Sequence, residues 1–278
     1  MSIVMLLQST VYAVIVFGIM YAAKRLEDFR TVKIDDDRLL DQEGNLALAF
    51  RRAGLNLAIG FALLGALSGK SSGFSHDILH LFIDGLIIVP VLMVARYVND
   101  VVLLRGIDND DAIVHNNVAV GITEFGNLTA TGLIMGGLFV GEGGNYISLF
   151  VFAVLGQLAL MGATLAYKWF TPFSLLEEIK EDNASAGITL GGTMLALGII
   201  LRACVSGDSM GFKTDLINFV ISALFGIALL RVLRWAVDLL FVPQVTLADA
   251  VKRDHNSAVL LLTYGTVIAI AVLIAAVI

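Results

Sequence analysis

Three polar residues share one face of an otherwise apolar segment, and their side chains can carry protons or cations. Asp77, His80 and Asp84 are spaced by three and then four residues, which puts them on one side of a helix. Asp84 lies about 10 Å beyond Asp77, at about 1.5 Å per residue. A carboxylate at that depth in a membrane should face a protein interior or a wet cavity. We expect this face to relay protons or admit a cation. The alternative is that Asp84 is simply buried and protonated.

A second polar face follows the same spacing further along the chain. Glu124, Asn127 and Thr131 lie at i, i+3 and i+7, with Glu124 about two turns inside its segment. A carboxylate there is costly unless it is paired, protonated or hydrated. Arg52 occupies the equivalent place in an earlier segment, so we predict that Arg52 and Glu124 form an intramembrane ion pair. A structural lock and a part in an ion pathway both remain open for this pair.

The sequence offers little other chemistry. It contains no phosphate-binding loop, no credible nucleophile–base pair and no metal-binding motif, so we expect no catalytic site, no metal and no cofactor. Three residues on one helix, such as Asp77, His80 and Asp84, make a weak metal site. The single cysteine, Cys204, rules out an internal disulfide and a cysteine-based metal cluster. No basic run suggests nucleic acid as a partner.

The segments that hold these residues are long enough to cross a membrane. Of 278 residues, 58% are hydrophobic and only 15% are charged, and the mean hydropathy is +0.88. A soluble domain keeps about a quarter of its residues charged. Apolar runs of about 18 residues or more predict an all-α integral membrane protein with eight spanning helices. They lie at 3–23, 46–67, 78–98, 118–140, 146–168, 184–205, 215–240 and 257–277.

The basic residues predict how these helices are oriented. Of the 18 lysines and arginines, all except Lys70, Arg202 and Lys213 lie on or near the loops after the first, third, fifth and seventh helices. Cytoplasmic loops carry the excess of basic residues. We therefore expect both termini on the periplasmic or outer side, and the long charged loops, including Lys33, in the cytoplasm.

An internal repeat is the strongest signal in the sequence. Each even-numbered helix begins at an asparagine, with a glycine nine residues later and a glycine or alanine fifteen residues later. The four copies are Asn45/Gly54/Gly60, Asn117/Gly126/Gly132, Asn183/Gly192/Gly198 and Asn256/Gly265/Ala271. Such a period indicates four two-helix hairpins in one orientation, in two four-helix domains at 1–139 and 140–278. The asparagines either cap their helices or ring a vestibule, and the glycines either allow close packing or act as pivots.

The two halves also match outside this motif, at a shift of 138 residues. Asp77, Arg96 and Asp100 correspond to Asp215, Arg234 and Asp238. His80 corresponds to Asn218, and Asp84 to Ser222. Because the second half lacks the histidine and the deep carboxylate, we expect any pathway to be asymmetric.

The asparagine entry and the glycine-spaced helices resemble the YjfL-like bacterial inner-membrane family, catalogued as domain of unknown function 350 (DUF350). The resemblance covers nearly the whole chain, as four hairpins in two tandem domains. The fourth copy departs from the pattern, with Ala271 in place of the second glycine and Leu260 where the other copies have Ala49, Gly121 and Gly187. The resemblance implies a multi-pass protein of the bacterial inner membrane and carries no established activity.

Two functions are compatible with these features. The first is a channel or transporter for a small ion or solute, which the polar faces, the parallel repeats and Asp84 favour. The second is a non-catalytic membrane scaffold or accessory subunit that recruits a partner through the charged cytoplasmic loops. The expected partners are the lipid bilayer, a further copy of the chain in a homo-oligomer, and a cytoplasmic or membrane protein.

Overall fold

An asparagine starts each even-numbered helix, as the repeat predicts. In the computed structural model, which describes residues 3–31, 35–68, 73–143, 145–241 and 243–278, the side-chain oxygens of Asn45, Asn117 and Asn256 accept a hydrogen bond from the backbone N–H three residues later. Asn183 caps its helix through the N–H of Ser185. Such caps satisfy backbone donors that the first helical turn leaves free. The capping interpretation of the four asparagines is confirmed.

Eight of the helices described are long and apolar enough to span a membrane, which confirms the predicted fold class. The long odd-row helices are α1 (Ile3–Arg30), α3 (Phe74–Leu103), α6 (Tyr146–Phe170) and α9 (Phe212–Phe241). The even-row helices are α2 (Leu46–Leu67), α5 (Val118–Leu138), α8 (Ala184–Val205) and α10 (Ser257–Ala275). Short helices α4 (Asn109–Val114) and α7 (Leu175–Lys180), and π-helical turns at Asp37–Gln42 and Asp249–Arg253, lead into the even-row helices.

The even-row helices form one continuous row, in which α5 packs on α2, α8 on α5, and α10 on α8. The odd-row helices form a second layer, with α3 against α2 and α5, α6 against α5 and α8, and α9 against α8 and α10. The even-row helices are parallel to one another, because all four asparagine caps lie at the same end. We call this end, where the even-row helices begin, the network end, and the opposite one the cavity end.

Glycines set the spacing of the even row. A Cβ on Gly121 would lie 2.6 Å from the backbone oxygen of Ala47, and a Cβ on Gly187 would lie 2.6 Å from that of Ala119. Without a hydrophobic drive between helices in lipid, such close backbone approach provides the packing. The motif glycines Gly54, Gly126 and Gly192 likewise leave no room for a side chain, whereas Gly265 faces open space.

The asparagine side chains also tie consecutive repeats together. Nδ2 of Asn45 donates to the backbone oxygen of Ile113 at 2.7 Å, and Nδ2 of Asn117 to that of Ile179 at 3.0 Å. Asn183 makes the equivalent bond to the oxygen of Val251 at 2.7 Å. Each bond attaches the start of one even-row helix to the segment that precedes the next even-row helix. These bonds fix the register of the row.

Candidate functional site: an acidic cavity and a buried ion-pair network

A cavity of about 750 Å³ opens at the cavity end, between the two halves of the chain. Its walls come from α1, from the N-terminal turns of α3, α6 and α9, from the last turns of α2, α5 and α8, and from the loops that follow α5 and α8. Its titratable lining consists of five carboxylates, two histidines, two tyrosines and one cysteine: Asp77, Asp84, Glu142, Asp208, Asp215, His76, His80, Tyr12, Tyr146 and Cys204. Of the residues that the structure describes, no lysine or arginine lines the cavity.

The first predicted polar face lies in this cavity. Asp77, His80 and Asp84 all line it from α3, and their counterparts Asp215 and Asn218 line it from α9. The two halves of the chain therefore contribute equivalent positions to one space. Ser222, the counterpart of Asp84, is not among the lining residues, so the deep carboxylate belongs to the first half alone.

Two loops that pair across the halves close one wall of the cavity. The N–H of Gly207 donates to the oxygen of Val140 at 3.0 Å, and the N–H of Ser209 donates to the oxygen of Glu142 at 2.8 Å. The N–H of Glu142 in turn donates to the carboxylate of Asp208 at 2.8 Å. These bonds hold the backbone of Glu142 and the carboxylate of Asp208 at fixed positions on the rim.

Asp84 differs from the other lining carboxylates in its surroundings. Asp77 accepts a hydrogen bond from Tyr12 at 3.3 Å, and Asp215 accepts from the hydroxyl of Ser209 at 2.7 Å. Asp84 is only 7% exposed, yet its carboxylate makes no hydrogen bond or ion pair within the described part of the chain. Its lining position therefore leaves the carboxylate available to whatever enters the cavity.

An apolar layer separates the cavity from the network end. On α3, Ile88 and Leu92 are fully buried between Asp84 and Arg96. Twelve residues of helix correspond to about 18 Å along the axis. Leu63, Leu128 and Met135 from α2 and α5 belong to the same buried cluster. Charges are strongly disfavoured in such surroundings, so the cavity ends at Asp84 and does not continue as a pore.

At the network end, Glu124 forms a buried ion pair with Arg51. Nη2 of Arg51 lies 2.8 Å from one carboxylate oxygen of Glu124, and Nε contacts the other. The two side chains are 2% and 1% exposed. Arg51 also bonds the carboxylate of Asp110 at 2.7 Å and the backbone oxygen of Asn109 at 3.1 Å. A bidentate pair with further bonds meets the condition under which a buried charge is tolerated.

The predicted pairing of Arg52 with Glu124 is wrong, because the neighbouring arginine fills that role. Arg52 bonds instead to Asp28 at 2.6 Å and to Asp36 at 2.7 Å. Adjacent residues of a helix point about 100° apart, at about 3.6 residues per turn, so only one of them faces α5. Glu124 does form a buried ion pair with an arginine of α2, but that arginine is Arg51, on a different face of the helix from Arg52.

Arg96 extends the network to α1 and α4. One of its nitrogens contacts the carboxylate of Glu27, and another lies 3.3 Å from that of Asp110. Asp110 stands in the first turn of α4, which Asp108 caps. Burial alone would raise the pKa of Asp110, but the guanidinium groups of Arg51 and Arg96 lower it below its usual value. The network thus connects α1, α2, α3, α4 and α5 through Arg51 and Arg96 and the carboxylates of Glu27, Asp110 and Glu124.

Asn127 and Thr131 do not join the cavity. The side chain of Asn127 accepts a hydrogen bond from Asn99 of α3, and the Thr131 hydroxyl donates to the backbone oxygen of Asn127 at 2.9 Å. All three side chains are buried. The structure therefore joins Asn127 to α3 and keeps the bond of Thr131 within α5, and neither side chain lines the cavity with Asp77, His80 and Asp84.

The second half carries no equivalent of this network within residues 145–241 and 243–278. Arg234, the counterpart of Arg96, lies between the rings of Tyr167 and Tyr264, with its guanidinium carbon 4.8 and 5.1 Å from their centres. The two tyrosine hydroxyls are 3.0 Å apart. Cations are attracted to aromatic faces, which helps to stabilise a buried guanidinium whose nearby carboxylate, Asp238, makes no close ion pair with it among the described contacts. The chemical asymmetry between the halves thus extends from the cavity end to the network end.

Sequence reasoning missed several members of the sites, among them Arg51, Glu27, Asp110 and Cys204. No sequence signal separates Arg51 from Arg52, because the contacts between α2 and α5 join residues displaced by two positions in one direction (Ala47 with Gly121) and by one position in the other (Gly54 with Phe125). Glu27, Asp110 and Cys204 reach their sites through tertiary packing.

Comparison with known proteins agrees with this repeat architecture. The family model for the Domain of Unknown Function DUF350 matches twice, at residues 1–139 and 143–278. A UPF0719 transmembrane protein of Aquifex aeolicus (strain VF5) is 26% identical over 239 residues, which cover 84% of this chain and 86% of that protein. No solved structure matches the chain significantly.

Proposed function

We propose that this chain, which belongs to the DUF350 family of membrane proteins, is a carrier for small cations. The proposal refines the expectation of a channel or transporter for a small ion or solute. The single observation that carries it is Asp84, a buried carboxylate at the floor of an acidic cavity that has no hydrogen-bond or ion-pair partner among the residues described.

The charge of the lining supports cations as the transported class. Five carboxylates face a space of about 750 Å³ in which the described lining contains no lysine or arginine. Clefts lined by one sign of charge, with walls of low dielectric constant, concentrate counter-ions. Protons, monovalent metal ions and small ammonium compounds are therefore the candidates to be tested.

The location of Asp84 supports binding at a defined depth. An ionised carboxylate within a membrane needs a cation, a proton or water as a partner. The carboxylates of Asp77 and Asp215 accept bonds from neighbouring side chains, whereas Asp84 has none in the described structure. A cation that enters the cavity would meet Asp84 last and would pair with it directly.

The apolar layer below Asp84 supports a carrier rather than an open channel. About 18 Å of packed side chains lies between Asp84 and Arg96, at 1.5 Å per residue of helix. A charge could cross that layer only after the helices rearrange to open the other side, as in alternating access. This conformation would then be the one open at the cavity end.

The basic residues support an assignment of the two ends. Lys24, Arg30 and Arg52 lie at the network end, where they pair with acids of the same region. By the positive-inside rule the network end faces the cytoplasm, in a bacterial inner membrane, and the cavity opens to the outside. Lys33, which belongs to the same prediction, lies outside the described residues.

The scaffold alternative has less support. It needs charges on the loops that are free to meet a partner. Several charges between Arg25 and Glu43 already pair within the chain, namely Arg30 with Glu27, Arg38 with Glu43, and Asp28 and Asp36 with Arg52. Loops whose charges are neutralised internally offer less to a partner.

Flux measurements in proteoliposomes test the carrier directly. The purified chain would be reconstituted and assayed with protons, Na⁺, K⁺, methylammonium and an uncharged sugar. We expect selective flux of at least one of the cations, abolished by Asp84→Asn and retained by Asp111→Asn, which removes an exposed carboxylate on α4. Absence of flux with all the cations from a correctly folded sample would refute the proposal. Equal flux in Asp84→Asn and the unmodified chain would also refute it.

A further inference from the structure

The first and last helices of the even row each have one face that, at the equivalent positions of the other helices, packs against a neighbouring helix of the row. Each internal contact joins an outgoing face of one helix to an incoming face of the next. The outgoing face consists of the residues at two, nine and thirteen positions after the asparagine. The incoming face consists of those at four, eight and fifteen positions after it. The row therefore ends with an unused outgoing face on α10 and an unused incoming face on α2.

The internal contacts define these faces. At the first step, Gly121 meets Ala47 and Gly132 meets Ala58, and at the second step Gly187 meets Ala119 and Gly198 meets Ala130. The ninth residue after each asparagine completes the pattern. Cβ atoms on Gly54, Gly126 and Gly192 would lie within 3 Å of Phe125, Gly191 and Tyr264, the eighth residues of the following repeats. The same interface thus occurs at the first two steps with the same register, and its contact at the ninth residue recurs at the third step.

The outgoing face is complete in the last helix, although nothing described in the chain covers it. The position two residues after the asparagine is Ala47, Ala119, Ser185 and Ala258, and the position thirteen residues after it is Ala58, Ala130, Ala196 and Ala269. The first three members of each set are 0% exposed, whereas Ala258, Ala269 and Gly265 are exposed. A helix that faces lipid alone has no packing reason to keep these positions small.

The incoming face of α2 is small as well. Ala49 and Ala53 are exposed, and Gly60 is half-buried, with the methyl group of Met20 as the nearest neighbour of a Cβ built there. The odd row ends in the same way. Each of α3, α6 and α9 packs against two even-row helices, whereas α1 packs against α2 alone among them. Both layers therefore lack a neighbour at the same edge.

We propose that a second copy of this chain docks head to tail, with the incoming face of its α2 on the outgoing face of α10. The register of the internal steps then places Ala49 of one copy on Ala258 of the other, Ala53 on Gly265, and Gly60 on Ala269. Nδ2 of Asn256, which bonds to nothing in the described chain, gains the carbonyl-rich segment before α2 as a partner. Because this interface is heterologous, repetition generates a closed ring or an open row in the membrane plane.

Disulfide cross-linking tests the contact and its direction. In a Cys204→Ser background, Ala49→Cys and Ala258→Cys variants would be expressed separately and together. We expect oxidised dimers only when the two variants are mixed, and a ladder or one closed species when one chain carries both substitutions. Cross-linking of either variant with itself would indicate a symmetric face-to-face dimer and would overturn the proposal. Absence of any cross-link in folded protein would overturn it too.

A pair of glycine substitutions separates assembly from folding. Gly265 and Gly162 both lie on exposed helix surfaces with open space around them in the single chain. Gly265→Leu and Gly162→Leu should therefore fold equally well. We expect native mass spectrometry or photobleaching in bilayers to report monomers for Gly265→Leu, and multimers for Gly162→Leu and the unmodified chain. Multimers that persist in Gly265→Leu would refute the head-to-tail contact, whatever the outcome of the flux assay.

Discussion

Removal of the Arg51 side chain should destabilise the protein strongly, because it leaves the buried Glu124 without its partner. Removal of Arg52 should leave the ion pair of Glu124 intact. Arg51 and Glu124 are 2% and 1% exposed and share a bidentate contact. Truncation of one partner of a buried pair costs about 3–5 kcal/mol, because the other charge is left without compensation. Arg51→Gln should therefore lower the free energy of unfolding by about that amount. Glu124→Gln should cost less, about 1–3 kcal/mol, because Arg51 retains Asp110 and the oxygen of Asn109.

A pair of double-mutant cycles turns these costs into a test. Unfolding in mixed micelles, followed by tryptophan fluorescence, would give the coupling between Glu124→Gln and each arginine substitution. We expect a coupling of about 2 kcal/mol or more with Arg51→Gln. For Arg52→Gln we expect about 0.5 kcal/mol or less, because Arg52 reaches Glu124 only through Glu27 and Arg96. A larger coupling for Arg52 than for Arg51 would refute the assigned pairing and with it the register of α2 on α5.

Three further predictions concern packing, pH and capping. Gly187→Ala should cost about 1–3 kcal/mol, because its Cβ meets a backbone oxygen of α5 at 2.6 Å; Gly162→Ala, in open space, should be neutral or stabilising by up to about 1 kcal/mol in the same unfolding assay. Since the pKa of Asp110 is lowered in the folded state, the stability it contributes is present above the ordinary carboxyl pKa of about 4 and is lost as the pH falls through the lowered value. Asp110→Asn should flatten that acid limb of a stability–pH profile, and Asp111→Asn should leave it steep. Asn183→Ala should cost about 1 kcal/mol for the cap and more for the lost bond to the next repeat. Asn256→Ala should cost less, because the side chain of Asn256 makes no such bond within the described residues. A larger cost for Asn256→Ala would contradict that account.

Periodic features of the sequence predicted most of the fold. Eight apolar segments, four asparagine caps and the close-packing glycines follow from hydropathy and spacing, which act locally and repeat four times. The confirmed membership of DUF350 in two tandem matches has the same origin. The exposed position of Gly265 could not be predicted in this way, because the motif identifies the glycine but does not show whether another helix packs against it.

The candidate site was predictable only where one helix face decided it. Asp77, His80 and Asp84 share a face and line one cavity, as their spacing suggested. The partner of Glu124 was misidentified because residues at the same position of two repeats need not face each other where the two helices pack together. The side chain that faces α5 and reaches Glu124 is that of Arg51, one position before Arg52. Glu27 and Asp110 come from outside the even-row helices, and only the packing of α1 and α4 brings them to the arginines.

Labelling of Cys204 tests the proposed cation cavity most directly. This residue is the only cysteine of the chain and lines the cavity with the five carboxylates. A cavity that concentrates cations should make a membrane-impermeant cationic thiol reagent react about tenfold or more faster than an anionic reagent of similar size. We predict this preference in intact cells or right-side-out vesicles, at Cys204 and at a second lining probe, Ser206→Cys in a Cys204→Ser background. Equal rates for the two reagents, or labelling that requires access from the cytoplasmic side, would contradict it.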